Sequence, residues 1–358
     1  MLNASKCCEP SGTIIPNQPR AYLKILFSSY LFDPSVGGIE SVSKILADRF
    51  AAAGEDVQVI TQSAGSSILD ANYRLTRRPS IVDTFRLLRW CDVFFQNNIS
   101  LRSLIPALML RKPTLVAHQT WLQNVRGDIG WQNQLKQTLL RFVTNVAISK
   151  AVADRLSSNS FVICNPYDDK VFRSMPEIAR DRKIVFVGRL VSDKGVDLLL
   201  QALKLLHGNG FTPDLTIVGS GPEEDNLRKQ SAQLGLDRQI TFVGQQSGHA
   251  LAQTLNRHRV LAVPSRWAEP FGVVALEGIA CGCVVVGSQN GGLKEAIGPC
   301  GVTFENENVA ALAAQLGRMI NEPEARATLL QHAPEHLANF QSEAIAASYL
   351  RAMKKIKA

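Results

Sequence analysis

Two successive series of short β-rich runs, interleaved with helical stretches, constrain this chain more than any single residue does. The first series is Leu23–Ser29, Asp56–Thr61, Asp92–Phe95, Thr114–Ala117, Val143–Ile148 and Phe161–Cys164. Between its first two runs lies a helix over Ile39–Ala53, with apolar residues at 42, 45, 46 and 50. The pattern then restarts at Lys183–Val187, Asp214–Val218, Gln239–Val243, Val260–Val263, Val284–Gly287 and Val302–Phe304. Strands joined through helices form parallel sheets by right-handed crossovers. Two such series in 358 residues predict two doubly wound α/β domains. A ligand between them would lie at the carboxyl ends of the strands.

Pro166, Pro176 and Arg180-Asp181-Arg182 interrupt the alternation, so the domain boundary is expected near residues 166–182. Residues 1–20 hold Cys7, Cys8 and three prolines and no apolar signal-peptide core; they read as a mobile tail. The expected division is tail 1–20, first domain 21–170, second domain 171–341, and an amphipathic closing helix within 342–358, over Ser342–Lys357.

Several function classes drop out here. No run of 18 apolar residues exists, and Leu101–Leu110 is short and carries Arg102, so a spanning helix is not expected. Seven cysteines, with Cys281-Gly-Cys283 unaccompanied by a second Cys or His pair, read as buried reduced thiols of a cytosolic protein. Ser35-Val-Gly-Gly-Ile-Glu40 is not Gly-x-Gly-x-x-Gly, which argues against a nicotinamide cofactor. The net charge is +8, and residues 101–150 carry seven basic groups against one acidic. Such a face meets nucleic acid, an anionic bilayer or a phosphate-bearing substrate. It lacks interleaved aromatics, so nucleic acid is not expected.

The chemistry concentrates in Pro264-Ser-Arg-Trp-Ala-Glu-Pro-Phe-Gly-Val-Val-Ala-Leu-Glu-Gly-Ile-Ala-Cys-Gly282. Pro270 and Gly272 disfavour an unbroken helix. Glu269 is therefore expected on a loop, with a helix opening near Gly272 or Val273 and Glu277 in its first turns. The free N–H groups of that opening receive an anion. A ligand with both phosphates and hydroxyls suits such a site, and a nucleotide sugar has both. Val187-Gly-Arg-Leu-Val-Ser-Asp-Lys-Gly195 supplies Arg189 and Lys194 for phosphate oxygens. No convincing Asp-x-Asp metal motif is present; Asp168-Asp169 and Glu223-Glu224 read as surface pairs, and no metal ligand is assigned.

This stretch closely resembles the Glu-x7-Glu signature of retaining glycosyltransferases of family 4 (glycosyl transferases group 1), enzymes of the GT-B fold. The resemblance is strong over 183–305, looser over 23–172, and leaves out the first 20 residues. It implies two Rossmann-like domains facing across a cleft, with the last helix crossing back to the first. It implies transfer of a hexose from a nucleoside diphosphate sugar, UDP the first candidate, to an acceptor hydroxyl on a glycan or lipid-linked glycan, with retained configuration and no cofactor or metal. It places Glu269 at the donor sugar, Glu277 at the ribose, and Arg189 and Lys194 at the leaving diphosphate. His118, closing Thr114–Ala117, falls near the sugar's reacting end, with Trp121 either on the acceptor path or packed. Gly37, Gly38, Gly188, Gly219, Phe271, Gly272 and Val273 complete the implied donor site. The loop Val243–His249 would hold the base, and Asn290-Gly291-Gly292 would be structural. Lipid-linked acceptors would bring peripheral contact with an anionic membrane at its cytoplasmic face. Two alternatives stay open: an epimerase of nucleotide sugars on the same fold, and a basic nucleic-acid-binding protein.

Overall fold

The computed structural model describes residues 22–33, 37–65, 71–122 and 131–357. The expected tail 1–20 with Cys7 and Cys8, the motif residues Ser35 and Val36, and Arg126 and Asp128 of the basic segment lie outside the described residues.

In the first domain, strands β1 (Lys24–Ser29), β2 (Asp56–Thr61), β3 (Arg74–Arg77), β4 (Val93–Asn97), β5 (Thr114–His118), β6 (Thr144–Ala147) and β7 (Ser160–Val162) form a parallel sheet in the order β3-β2-β1-β4-β5-β6-β7. Helices α1 (Gly38–Ala52), α2 (Ile81–Trp90), α3 (Leu101–Met109), α4 (Trp131–Leu139) and α5 (Lys150–Ala153) connect them. The inner strands are apolar and buried on both faces, as helix-covered parallel strands require. The sequence reading missed β3. Its Arg-Leu-Thr-Arg run is a charged edge strand with no fully buried residue, so it carries no hydrophobic signal.

The second domain repeats the plan with β8 (Arg182–Val187), β9 (Leu215–Val218), β10 (Ile240–Gly244), β11 (His258–Val263), β12 (Val284–Ser288) and β13 (Gly301–Phe304), in the order β10-β9-β8-β11-β12-β13. Its helices are α6 (Val196–Gly208), α7 (Glu224–Leu234), α8 (Gly248–Asn256), α9 (Val273–Ala280), α10 (Leu293–Ile297), α11 (Val309–Asn321), α12 (Pro323–Leu330) and α13 (Ala333–Ala338). The winding reverses between β1 and β4 and between β8 and β11, where open α/β sheets bind ligands.

The last helix, α14 (Ser342–Lys357), lies on the first domain. Tyr349 is fully buried with its ring 5.2 Å from Phe95, and Phe95 lies 4.7 Å from Phe27. Lys354 pairs with Glu55 at 2.7 Å and Lys357 with Asp92 at 3.0 Å. Burying an apolar ring of this size contributes roughly 1.5–3 kcal/mol, offset in part by the Tyr349 hydroxyl, which is buried with no hydrogen-bond partner in the described structure.

The two domains also meet at the carboxyl ends of their strands. Trp121, Ile148 and Val152 of the first share one apolar cluster with Phe271, Leu276 and Leu293 of the second. Cys91, Cys281, Cys283 and Cys300 are buried and Cys164 half-buried, all as free thiols. Burial pushes Cys91, Cys164 and Cys300 up to about 11. Among the described residues no helix is long and apolar enough to cross a membrane.

Candidate functional site

The loop after β8 brings two cations to the mouth of the second domain. Arg189 is exposed, with no side-chain partner among the described residues. Lys194 ends a 3-10 turn over Ser192–Lys194, just before α6. Gly188 donates to Val218 O at 3.0 Å, and Gly219 to Gly244 O at 2.8 Å. Gly219 sits at φ +146°, and a Cβ there would run into the Gly188 carbonyl. Gly219 therefore lets the two adjacent loop backbones close on one another.

Glu269 stands opposite, on the loop between β11 and α9. Its Oε1 accepts from Lys194 Nζ at 2.6 Å and from Ser265 Oγ at 2.7 Å. The pair is mostly enclosed, with the Lys194 side chain 23% and the Glu269 side chain 13% exposed. Arg266 latches the two loops. Its guanidinium donates to Asp197 Oδ1 at 2.6 Å and to Ser192 O at 3.0 Å. The backbone N–H groups of Arg266 and Trp267 both donate to Asp193 O. Asn290-Gly291-Gly292, expected only as structure, carries the glutamate's backbone: Gly291 forms a parallel bridge with Glu269, and Gly292 N donates to Glu269 O at 2.7 Å.

Helix α9 opens where the sequence reading put it. Gly272 is its N-cap at φ +114°, and no side chain caps it. The N–H groups of its first turn, beginning at Val273, point out of the helix toward any anion placed there. A side chain at 272 would also strike Leu293, whose Cδ1 would be 2.6 Å from the added Cβ. Glu277 lies in the next turn, and no cation pairs with it among the described residues. Burial, then the nearby Asp168 carboxylate, push its carboxyl up to about 7. That corrects the reading of Asp168-Asp169 as a surface pair. Asp168 is half-buried, and Asp169 accepts from Ser342 and lies 3.6 Å from Arg49. Phe271 turns into the core, its ring 5.8 Å from Phe340, so only its backbone is open to a ligand.

In the first domain His118 closes β5 and is fully buried. Its Nε2 pairs with Asn145 Oδ1 at 3.0 Å, and its Nδ1 has no partner in the described structure. Burial holds the imidazole neutral, pulling its pKa down to about 4. Trp121 packs: its indole N–H reaches across to Ala268 O at 2.8 Å. Gly37 and Gly38 open α1, but the Glu40 carboxylate folds over this opening, its Oε2 2.5 Å from where a Gly37 Cβ would be. An anion arriving there meets a negative charge. Among the described residues no three of His, Cys, Asp and Glu converge on a point that could hold a metal.

Residues 168–336 match the family model described as "Glycosyl transferases group 1". Over that stretch the chain is similar to the glycosyl transferases group 1 family. Curated relatives match part of the chain. D-inositol 3-phosphate glycosyltransferase of Rhodococcus opacus is 32% identical over 173 residues, covering 46% of this chain and 39% of the relative. Glycogen synthase of Mycobacterium tuberculosis is 37% identical over 145 residues, covering 40% and 35%. The matches thus span about two fifths of each relative's length. The solved structure of Anabaena HepE in complex with UDP and glucose superposes with a TM-score of 0.79 at 19% identity, over 93% of this chain and all of that one. A sucrose-phosphate synthase from Thermosynechococcus elongatus superposes at 0.78 with 22% identity, over 93% and 98%. The fold is GT-B.

Within residues 168–336, the sequence reading missed Ser265 and the Arg266–Asp197 latch. Ser265 sits four residues before Glu269 at a strand end, a spacing that could have drawn attention to it. The latch joins residues 69 apart in sequence, and nothing local announces it.

Proposed function

We propose that this protein is a retaining hexosyltransferase that moves a sugar from a nucleoside diphosphate sugar to an acceptor hydroxyl. The observation that carries the reading is the Lys194–Glu269 pair at 2.6 Å, beside the unpartnered Arg189 and the open end of α9. Cations for a diphosphate and a carboxylate for sugar hydroxyls meet at one point. UDP is the first donor to try, because structures of the same fold hold UDP and UDP-glucose. When donor binds, Arg189 and Lys194 neutralise the diphosphate. Glu269 then accepts from sugar hydroxyls and Glu277 from the ribose. The C1–O bond to the diphosphate breaks, the acceptor oxygen bonds to C1 on the same face, and the acceptor's proton passes to the leaving phosphate. Fixed positive charge at that phosphate speeds the step without a metal. The neutral His118 serves by hydrogen bonding, its free Nδ1 available to a sugar hydroxyl.

The acceptor reads as a glycan or lipid-linked glycan, met at the cytoplasmic face of a membrane. The exposed Ile105, Met109 and Phe142 in a basic segment support that docking. A thermal-shift screen of nucleoside diphosphate sugars, followed by NMR of the product's anomeric proton, tests the reading. A true donor raises the melting temperature by mass action and gives product of unchanged anomeric configuration. An epimerised donor, or no shift with any nucleotide sugar, overturns it.

A further inference from the structure

The loop that carries Glu269 is gripped on both flanks from the opposite domain. The carbonyl before it, Ala268 O, accepts from the Trp121 indole N–H at 2.8 Å. The carbonyl after it, Pro270 O, accepts from Ser149 Oγ at 2.7 Å. Both donors are buried first-domain side chains, just past the ends of β5 and β6. Each is itself fixed: the Arg155 guanidinium lies 4.1 Å over the Trp121 ring, and Ser149 Oγ also accepts from Val152 N at 3.1 Å. The glutamate's own domain supplies further restraints: Gly292 N on its carbonyl, and Ser265 and Lys194 on its carboxylate. Trp121 thus holds the peptide plane before Glu269, Gly292 N the plane after it, and Ser149 the next plane along, between Pro270 and Phe271. Both grips span the cleft, so both break when the domains part.

We propose that Trp121 and Ser149 are positioning residues that hold Glu269 in its sugar-binding pose only while the two domains are closed. Contact with the donor sugar is thereby made conditional on the position of the first domain. This rests on the reading of Glu269 as the donor-sugar contact. Sequence reasoning left Trp121 either on the acceptor path or packed. The geometry gives it a third task, aiming a residue of the other domain.

The test uses the full chain with Trp121→Phe, which keeps an aromatic ring and removes the N–H, and Ser149→Ala. Backbone hydrogen exchange over 265–272 is read against exchange in β8 and β11. Turnover of a UDP-sugar donor is read against calorimetric binding of UDP. Each variant is expected to exchange faster in the loop alone and to lose turnover by about five- to tenfold, the loss of one hydrogen bond. UDP affinity is expected to stay within about twofold, since neither side chain bonds to Arg189, Lys194 or Glu277. Unchanged loop exchange in both variants overturns the proposal, and so does UDP binding that weakens as much as turnover falls. If no nucleotide sugar is turned over at all, the donor-site reading fails by itself, and the exchange measurement still decides whether these side chains hold the loop.

Discussion

Lys194 and Glu269, 75 residues apart, join the two motif loops of the second domain through a 2.6 Å ion pair. The pair shields each charge in a mostly enclosed place before any ligand arrives. Removing one member of an enclosed pair leaves the other uncompensated, at a cost above that of the lost attraction.

Arg189 and Lys194 should therefore separate in stability though not in activity. Each alanine variant is expected to lose roughly 3–4 kcal/mol of transition-state stabilisation, about 10²–10³-fold in turnover. Arg189→Ala should melt like wild type, because its guanidinium is exposed and unpartnered. Lys194→Ala should melt lower, and adding Glu269→Ala should recover part of the loss. Calorimetric melting with steady-state kinetics checks this; turnover within about threefold of wild type for both cations would end the phosphate-clamp role.

Glu277 gives a pH signature. Its folded-state value, about 7, stands above the ordinary 4.5. The folded protein thus binds the extra proton, and this group's contribution to stability falls as pH rises from about 4.5 to about 7, then levels off. The span is at most about 3 kcal/mol. Glu277→Gln should flatten that slope and melt higher than wild type at pH 8. Melting curves from pH 4.5 to 8 decide it, and parallel profiles for the two proteins would contradict the buried, unpaired carboxyl.

The two glutamates should divide the ligand between them. Glu277→Ala is expected to weaken free nucleoside diphosphate as well as donor, because it lies in α9 behind the phosphate end. Glu269→Ala should lower turnover of the sugar donor and leave diphosphate binding nearly unchanged. Isothermal titration of UDP into both variants is the measurement, and equal losses would reject the assignment.

Activity should persist in excess chelator if, as proposed, Arg189, Lys194 and the amides of α9 take a metal's part at the leaving diphosphate. A complete loss in chelator, restored by magnesium or manganese, would show that the cations do not suffice.

The parts of this protein legible in its sequence are those written in local patterns. The inner strands could be read because runs such as Val284-Val285-Val286 are buried on both sheet faces. The placement of Glu269 on a loop and of Glu277 in the helix after it could be read because Pro270 and Gly272 break the chain just before the helix opens. β3 could not, because an edge strand of Arg, Leu and Thr has no apolar face to repeat. Nor could the grip of Trp121 on Ala268, which crosses 147 residues. Asp168 was misread because adjacent carboxylates look solvated until packing encloses one of them beside Glu277.

The basic segment 101–150 bears on the acceptor. In α3, Leu104 is buried while Ile105 and Met109 are 41% and 70% exposed; these two lie one turn apart on a single helix face. Packing thus keeps Leu104 from inserting into a membrane, and Leu101 and Leu108 are half-buried. Phe142, 70% exposed, follows the exposed Arg141. Cations flanking a few insertable side chains are what a peripheral protein presents to an anionic leaflet. Co-sedimentation with phosphatidylserine vesicles should rise with anionic lipid content and fall with salt, because exposed charges are screened within about 10 Å at ~0.1 M. Met109→Ser with Phe142→Ser should weaken the binding without shifting the melting temperature, since both side chains are already in water. Protein that stays in the supernatant at low salt would point to an acceptor that is free in solution.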